Sequence, residues 1–265
     1  MIQKTVSSVR TVVRNLLHLV GYDLVKFPRV ASARSAYAPV TPFATYSPWN
    51  VDPLFLETYA IIKDSTLVDI YRCYELWALV EQSAKVAGNI IEIGVWRGGT
   101  GALIARKAEL CSSGCQVYLC DTFSGVAKAS TKDSRYKGGE HADTSQKLVE
   151  SLLSDRLKLS NVTILQGIFP DETAHLIAAH QATFRFCHID VDVYQSAKDI
   201  FDWIWTRMPV GGIVVYDDYG ISGCEGITQL VNAQRNEHDR IVIHNLNGHA
   251  VVAKTADRSL ASSAL

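Results

Sequence analysis

Two stretches constrain what this chain can become. His188-Ile189-Asp190-Val191-Asp192-Val193-Tyr194 and Val215-Tyr216-Asp217-Asp218-Tyr219 are each an apolar run that ends in aspartates. A short apolar run of this kind reads as a strand buried on both faces, the usual strand of a parallel sheet. Carboxylates at its end are delivered to the carboxyl edge of that sheet, so four aspartates stand together. Like charges that close repel unless a cation lies between them or one carries a proton. With only oxygen donors in the pattern, a hard ion is favoured, Mg²⁺ with Mn²⁺ or Ca²⁺ as substitutes. The plainer alternative is that Asp192 and Asp218 only cap the helices that follow; the pairing of two such motifs argues for the metal.

The remaining strands follow the same logic. Asn89-Ile90-Ile91-Glu92-Ile93-Gly94 enters a glycine-bearing turn, Val95-Trp96-Arg97-Gly98-Gly99-Thr100, and a helix comes next. Strand, glycine turn and helix present a ligand site at a helix N-terminus, although the spacing is not G-x-G-x-x-G. The second strand, residues 116–121, ends in Asp121, whose two carboxylate oxygens can take both hydroxyls of a ribose. Its alternative role is a turn aspartate before Thr122. Residues 161–167, 184–190, 212–217, 240–244 and 250–253 complete seven strands. Helices are expected between most of them, and after Gly167 an aromatic, Phe169, stands where it can touch an adenine face or join the core. Strand–helix alternation closed by a terminal strand pair predicts an α/β, Rossmann-like, mostly parallel sheet with one antiparallel strand near its edge.

Ahead of this domain lies an N-terminal extension. Val6, Val9, Val12, Val13, Leu16, Leu17 and Val20 fall on one helical face. Such a stripe packs on the protein or on a second subunit, and with Arg10, Arg14 and His18 beside it can also touch a membrane surface over residues 1–22. Residues 25–53, rich in Pro, Ala, Ser and Tyr, read as an arm whose Tyr37, Phe43, Tyr46 and Trp49 either cover an active site or simply pack on the surface. Residues 53–85 read as helical. The boundaries drawn are 1–58 for helix and arm, 59–256 for the catalytic domain and 257–265 for a tail.

Residues 123–141, with Lys128, Lys132, Arg135, Lys137 and Gly138-Gly139, form a long polar loop of the kind that closes over sites. His188 is expected to be a buried, hydrogen-bonded histidine rather than a base, since it lies lower in its strand than Asp190. His141 is a weaker candidate still.

The motifs Glu92-Ile93-Gly94-Val95-Trp96-Arg97-Gly98-Gly99, Asp121-Thr122-Phe123-x-Gly125, Gly167-x-Phe169-Pro170-Asp171-x-Thr173, His188-Ile189-Asp190-x-Asp192-x-Tyr194 and Gly211-Gly212-x5-Asp218-Tyr219 together resemble the macrocin O-methyltransferase family, over roughly Tyr59 to Lys254. The resemblance implies a class I methyltransferase fold, S-adenosylmethionine as methyl donor, and Mg²⁺-dependent transfer to a sugar hydroxyl of a glycoside or glycan with vicinal hydroxyls. It implies Asp190, Asp217 and Asp218 as metal ligands and Asp192 as general base. The expected cofactor contacts are Glu92, Gly94 and Thr100 around the methionine part and the glycine turn, Asp121 on the ribose, and Phe169 and Asp190. A catechol-type O-methyltransferase acting on a phenolic diol, or a non-catalytic cofactor-binding partner, are the competing readings.

Composition narrows the surroundings. With 48% hydrophobic residues in 265, the chain can bury one substantial core. A net charge of −1 implies no general attraction to nucleic acid. Six cysteines without a C-x-x-C pair read as reduced thiols of a cytoplasmic, homo-oligomeric protein, or one peripheral to a membrane. Cys111 and Cys115 sharing a metal is a weak option.

Overall fold

A computed structural model describes residues 36–40, 44–111, 114–178 and 182–257, together with Val13, Leu16, Leu17 and Leu19. Apart from those four residues, the amphipathic helix expected over residues 6–20 lies outside the described residues, as do the arm residues 25–35 and 41–43 and the tail after Asp257. Among the described residues no helix is long and apolar enough to cross a membrane.

Seven strands form one sheet: β1 Asn89–Ile93, β2 Val117–Asp121, β3 Val162–Gln166, β4 Phe184–Ile189, β5 Ile213–Tyr216, β6 Arg240–His244 and β7 Ala250–Lys254. Their spatial order is β3-β2-β1-β4-β5-β7-β6. β7 alone runs antiparallel to its neighbours, one place in from the edge. Because the chain passes from β1 outward to β2 and β3 and then returns to β4 on the other side, the β1/β4 junction is the switch point where open α/β sheets bind ligands.

The sheet splits its side chains by alternation. Ile91, Ile93, Cys187, Ile189, Val214 and Tyr216 enter one buried cluster, while Ile90, Phe186 and Val215 enter the other. On the second face lie helices α1 Pro53–Ile62, α2 Ile70–Ser83 and α3 Gly99–Cys111; on the first lie α6 Tyr194–Trp205 and α7 Glu225–Gln234. Between them in sequence, α4 Gln146–Glu150 continues as a π-helical turn, Ser151–Arg156, and α5 Ala174–Ala178 is a short turn of helix. α6 keeps Ile200, Phe201, Ile204 and Trp205 inward, a stripe at helical spacing that docks it on the sheet.

The continuous helical stretch expected over residues 53–85 is broken. Asp52 caps α1, accepting the N–H of Phe55 at 3.0 Å, and its other oxygen accepts from Trp77 Nε1 of α2 at 3.0 Å. A second cap, Asp69, accepts the N–H groups of Tyr71 and Arg72 and starts α2 afresh. Between them, Thr66 Oγ1 accepts the N–H of Val68 in the local bond by which hydroxyl residues compete with helix. Of the arm's aromatics, Trp49 packs edge-on against Tyr71 and Tyr74, Tyr46 is exposed, and neither lines the cavity described below. Ser65, Thr66, Leu67 and Val68 of the helix break do so instead.

Candidate active site

At the switch point the strand ends surround a cavity of about 300 Å³. The turn after β1 is its best-defined wall. Gly94 has φ +90°, and a Cβ there would sit 1.6 Å from the carbonyl oxygen of Asp190. Only glycine permits both that backbone conformation and that approach. The N–H of Gly94 donates to the Cys120 carbonyl at 3.0 Å and that of Asp190 to the Ile93 carbonyl at 2.9 Å. The ends of β1, β2 and β4 are thereby held together.

Asp121 lines the cavity, with its carboxylate closing the glycine turn. One oxygen accepts the N–H groups of Val95 at 2.7 Å and Trp96 at 2.9 Å; the other accepts that of Phe123 at 2.6 Å. A carboxylate offers about four lone-pair directions, so one remains for a ligand. Thr100, in the first turn of α3, and Phe169 are buried and also line the cavity. Phe169 is at once a core residue, edge-on to Trp203 at 5.0 Å.

Glu92 departs from expectation. By strand alternation it points to the α2 face, opposite Ile93, and it is fully buried without lining the cavity. Its Oε1 pairs with His188 Nδ1 at 2.8 Å. Glu92 thus stands in this structure as a buried partner of His188, behind the cavity wall. His188 is the buried, hydrogen-bonded histidine expected. Burial alone would lower its pKa, but the carboxylates of Asp217 and Glu92 raise it to about 9.

One oxygen from each of Asp190, Asp217 and Asp218 lies within 4.8 Å of the others. Burial, and then the neighbouring carboxylates, push Asp190 and Asp218 well above the usual carboxylate range. Neither is ion-paired with Lys, Arg or His among the described residues. Asp217 is the opposite case. Burial opposes its ionisation, but His188, His249 and Arg72 hold it well below that range; His249 Nε2 lies at 2.8 Å and Arg72 Nη1 at 2.5 Å. This all-oxygen set, drawn from two strand ends and with two carboxylates lacking a cationic partner, fits a hard divalent cation.

Asp192 stands next to that set, in a left-handed conformation with φ +64°, and its N–H donates to Asp218 Oδ2 at 2.9 Å. Burial raises its pKa, against a hydrogen bond from the Tyr136 hydroxyl and the charge of His141, whose Nε2 is 3.9 Å from Asp192 Oδ2. The Cys224 thiol, held protonated first by burial and then by Asp218, reaches both Asp218 Oδ1 (3.7 Å) and Asp192 Oδ1 (3.8 Å).

Several of these residues escape a reading of the sequence. Arg72 is one charge on an amphipathic helix, Tyr136 sits in a loop dominated by cations, and Cys224 is one thiol among six. His249 carries a faint signal, a polar residue opening a buried strand. Glu75 of α2 accepts from it at 3.0 Å and from Asn247 at 2.5 Å, and also pairs with Asn245. The loop and metal-strand aspartates do converge: Tyr136, His141, Asp190, Asp192, Asp217 and Asp218 all line the one cavity. All six cysteines are free, five of them buried.

Comparison with known proteins gives the arrangement a family. The chain is 28% identical over 200 residues, 71% of this chain and 75% of the other, to an 8-demethyl-8-(2,3-dimethoxy-alpha-L-rhamnosyl)-tetracenomycin-C 4'-O-methyltransferase of Streptomyces olivaceus. It is 27% identical to mycinamicin III 3''-O-methyltransferase of Micromonospora griseorubida, over 65% of this chain and 71% of that one. The fold matches the O-methyltransferase NovP with a TM-score of 0.60 at 23% identity, covering 72% of this chain and 83% of NovP. It matches the calicheamicin methyltransferase CalS11 with a TM-score of 0.56 at 17% identity, covering 82% and 100%. The macrocin-O-methyltransferase (TylF) profile matches residues 58–251; the chain belongs to that family and is an O-methyltransferase.

Proposed function

We propose that this protein transfers the methyl group of S-adenosylmethionine to a sugar hydroxyl of a glycoside or glycan, with Mg²⁺ held by Asp190, Asp217 and Asp218 and with Asp192 as general base. The observation that carries this reading is the meeting of the four aspartates at the mouth of β4 and β5, in one cavity with Gly94 and Asp121. Relatives named for methylating glycosyl groups support the acceptor class.

A sugar hydroxyl is a poor nucleophile at neutral pH. Bound Mg²⁺ supplies positive charge that lowers the pKa of a hydroxyl it touches, and S-adenosylmethionine supplies a methyl already activated by its sulfonium. The chain's own residues do the rest. Asp192, made more basic by burial, accepts the hydroxyl proton as the acceptor oxygen bonds to the methyl carbon, and the C–S electron pair stays with sulfur. Tyr136 and the Asp218 contact to the Asp192 N–H fix the direction in which that carboxylate points. Arg72 and His249 keep Asp217 ionised. Alignment of donor, methyl and acceptor is supplied by the β1 turn and strand ends, a contribution of positioning.

The test is calorimetry of S-adenosylmethionine and of Mg²⁺ on the purified chain, followed by methyl transfer to sugar acceptors. One-to-one cofactor binding is expected. Asp190→Asn is expected to weaken Mg²⁺ binding and abolish Mg²⁺-dependent transfer, while Asp192→Asn keeps cofactor and metal affinity and loses about 10²- to 10⁴-fold in kcat. Normal turnover in either variant removes the role given to that residue, and absence of cofactor binding removes the reading as a whole.

A further inference from the structure

Helix α7 begins at a cysteine that does not cap it. Cys224 holds the N-cap position, where Ser, Asp or Asn would accept a backbone N–H, yet its side chain makes no such bond. The thiol belongs to a residue 1% exposed and turns instead to the strand ends, 3.7 Å from Asp218 Oδ1 and 3.8 Å from Asp192 Oδ1. The turn that carries it is pinned on both sides. Glu225 accepts the N–H of Gly223 at 2.9 Å and the hydroxyl of Ser134, in the loop before α4, at 2.7 Å. The N–H of Cys224 donates to the Ile221 carbonyl at 3.1 Å, and Asp192 is fixed by its own N–H on Asp218 Oδ2.

These three donors are spaced for a metal. Zn²⁺ takes sulfur at about 2.3 Å and carboxylate oxygen at about 2.0–2.2 Å in tetrahedral geometry, which separates a sulfur from an oxygen on the same ion by about 3.5–3.7 Å. A thiol is a weak hydrogen-bond donor, so the bond alone is a poor reason for the arrangement. One ligand atom from each of Asp192, Asp218 and Cys224 lies within 4.8 Å of the others, and the other five free cysteines join no such group among the described residues. A fourth vertex is near, since His141 Nε2 is 3.9 Å from Asp192 Oδ2. Asp218 gives an independent sign that a cation belongs here. It is 7% exposed and has no cationic partner among the described residues, and its Oδ1 meets no hydrogen-bond donor but the thiol. Both carboxylates and His141 line the cavity, which gives an ion its way in. Sulfur and imidazole beside two carboxylates suit a thiophilic ion, unlike the all-oxygen set of Asp190, Asp217 and Asp218.

We infer that Asp192, Asp218 and Cys224, with His141 closing the set, form a second cation site, selective for Zn²⁺ over Mg²⁺ and overlapping the first at Asp218. Binding forms a Zn–S bond and releases the thiol proton to solvent. Resting on the roles proposed above for Asp192 and Asp218, an occupied site withdraws the base and a Mg²⁺ ligand together, so Zn²⁺ inhibits methyl transfer.

The experiment titrates the full chain, reduced and metal-free, with Co²⁺ as an optical substitute for Zn²⁺. The parent is expected to develop a near-ultraviolet sulfur-to-cobalt charge-transfer band that Zn²⁺ erases and an equal concentration of Mg²⁺ does not. The band should persist in Cys111→Ser, which removes the least buried thiol, and vanish in Cys224→Ser. Loss of a mere supporting residue costs a metal site about 10- to 100-fold in affinity, so Cys224→Ser should weaken Zn²⁺ binding by about 100-fold or more. Asp192→Asn should weaken it by about tenfold or more while Mg²⁺ affinity holds, a split that misfolding would not produce. In methyl transfer, the Zn²⁺ concentration that halves each variant's own rate should rise in Cys224→Ser by the factor lost in affinity. No sulfur band in the parent, a band that survives in Cys224→Ser, or Zn²⁺ affinity unchanged in both variants overturns the site. Inhibition equally strong in Cys224→Ser assigns it to Zn²⁺ seated on Asp190, Asp217 and Asp218 and overturns the inhibitory role. A sulfur band in a chain that binds no S-adenosylhomocysteine would count against the function proposed above and leave the Zn²⁺ site standing.

Discussion

Replacing Gly94 by alanine puts a methyl group 1.6 Å from the Asp190 carbonyl oxygen, in a backbone conformation that L residues rarely adopt. The strand ends must separate to accept it. Gly94→Ala is expected to cost roughly 2–4 kcal/mol, seen as a fall in Tm of about 5–15 °C for a domain of this size. An unchanged Tm would mean that the β1/β4 junction is softer than its geometry. Tyr136 is a different kind of residue, since its hydroxyl serves one carboxylate. Tyr136→Phe should leave cofactor affinity unaltered and lower kcat several-fold by freeing Asp192, as steady-state kinetics beside cofactor calorimetry would register. A rise in the cofactor Kd with kcat intact would instead place Tyr136 on the donor side of the cavity.

At the level of elements, the loop at residues 122–145 owes its order to Asp133, which joins the Ser130 turn to the start of α6. Asp133→Ala leaves the Tyr194 and Ser130 N–H groups without their acceptor, a loss of about 1–3 kcal/mol. Limited proteolysis should then cut between residues 123 and 141 in the variant and spare the parent chain; equal resistance would show that Tyr136 and Ser134 suffice as anchors. The same element shows what a sequence can reveal. Its length and charge announce a loop over a site, but nothing in the string separates Lys128, neutralised by Asp171 and Asp199, from Arg135, because pairing is decided by residues far away in the string. The sheet is legible for the converse reason. Each strand carries its own apolar run and, in β2, β4 and β5, its own terminal acid, so Asp121, Asp190 and Asp217 can be found locally. Glu92 is less legible because a strand acid near a glycine turn looks the same whether it faces the ligand or the interior, and the string does not show its register with His188. The helix break before α2 is hidden similarly: the second of two aspartate caps, Asp69, seventeen positions after Asp52, lies inside what reads as one apolar periodicity.

For the molecule as a whole, a cluster of carboxylates at the end of a sheet is a local source of repulsion set into an otherwise well-packed core. Ligands that bind only the folded chain stabilise it by RT ln(1 + [L]/Kd), about 2.7 kcal/mol at one hundred times Kd. Mg²⁺ and S-adenosylhomocysteine at that excess are each expected to raise Tm by several degrees, and chelation should reverse the metal's share. A melting curve insensitive to Mg²⁺ would count against the cation site.

The contact of Gly94 with the Asp190 carbonyl has one more consequence. The turn assigned to the methyl donor and the strand end assigned to the metal share a single backbone joint, so neither can adjust without displacing the other. Loading one partner then sets the affinity for the next. By reciprocity, whatever factor the cation contributes to cofactor affinity, the cofactor returns to the cation, and the order in which the two arrive affects the path but not the final state of the assembled enzyme.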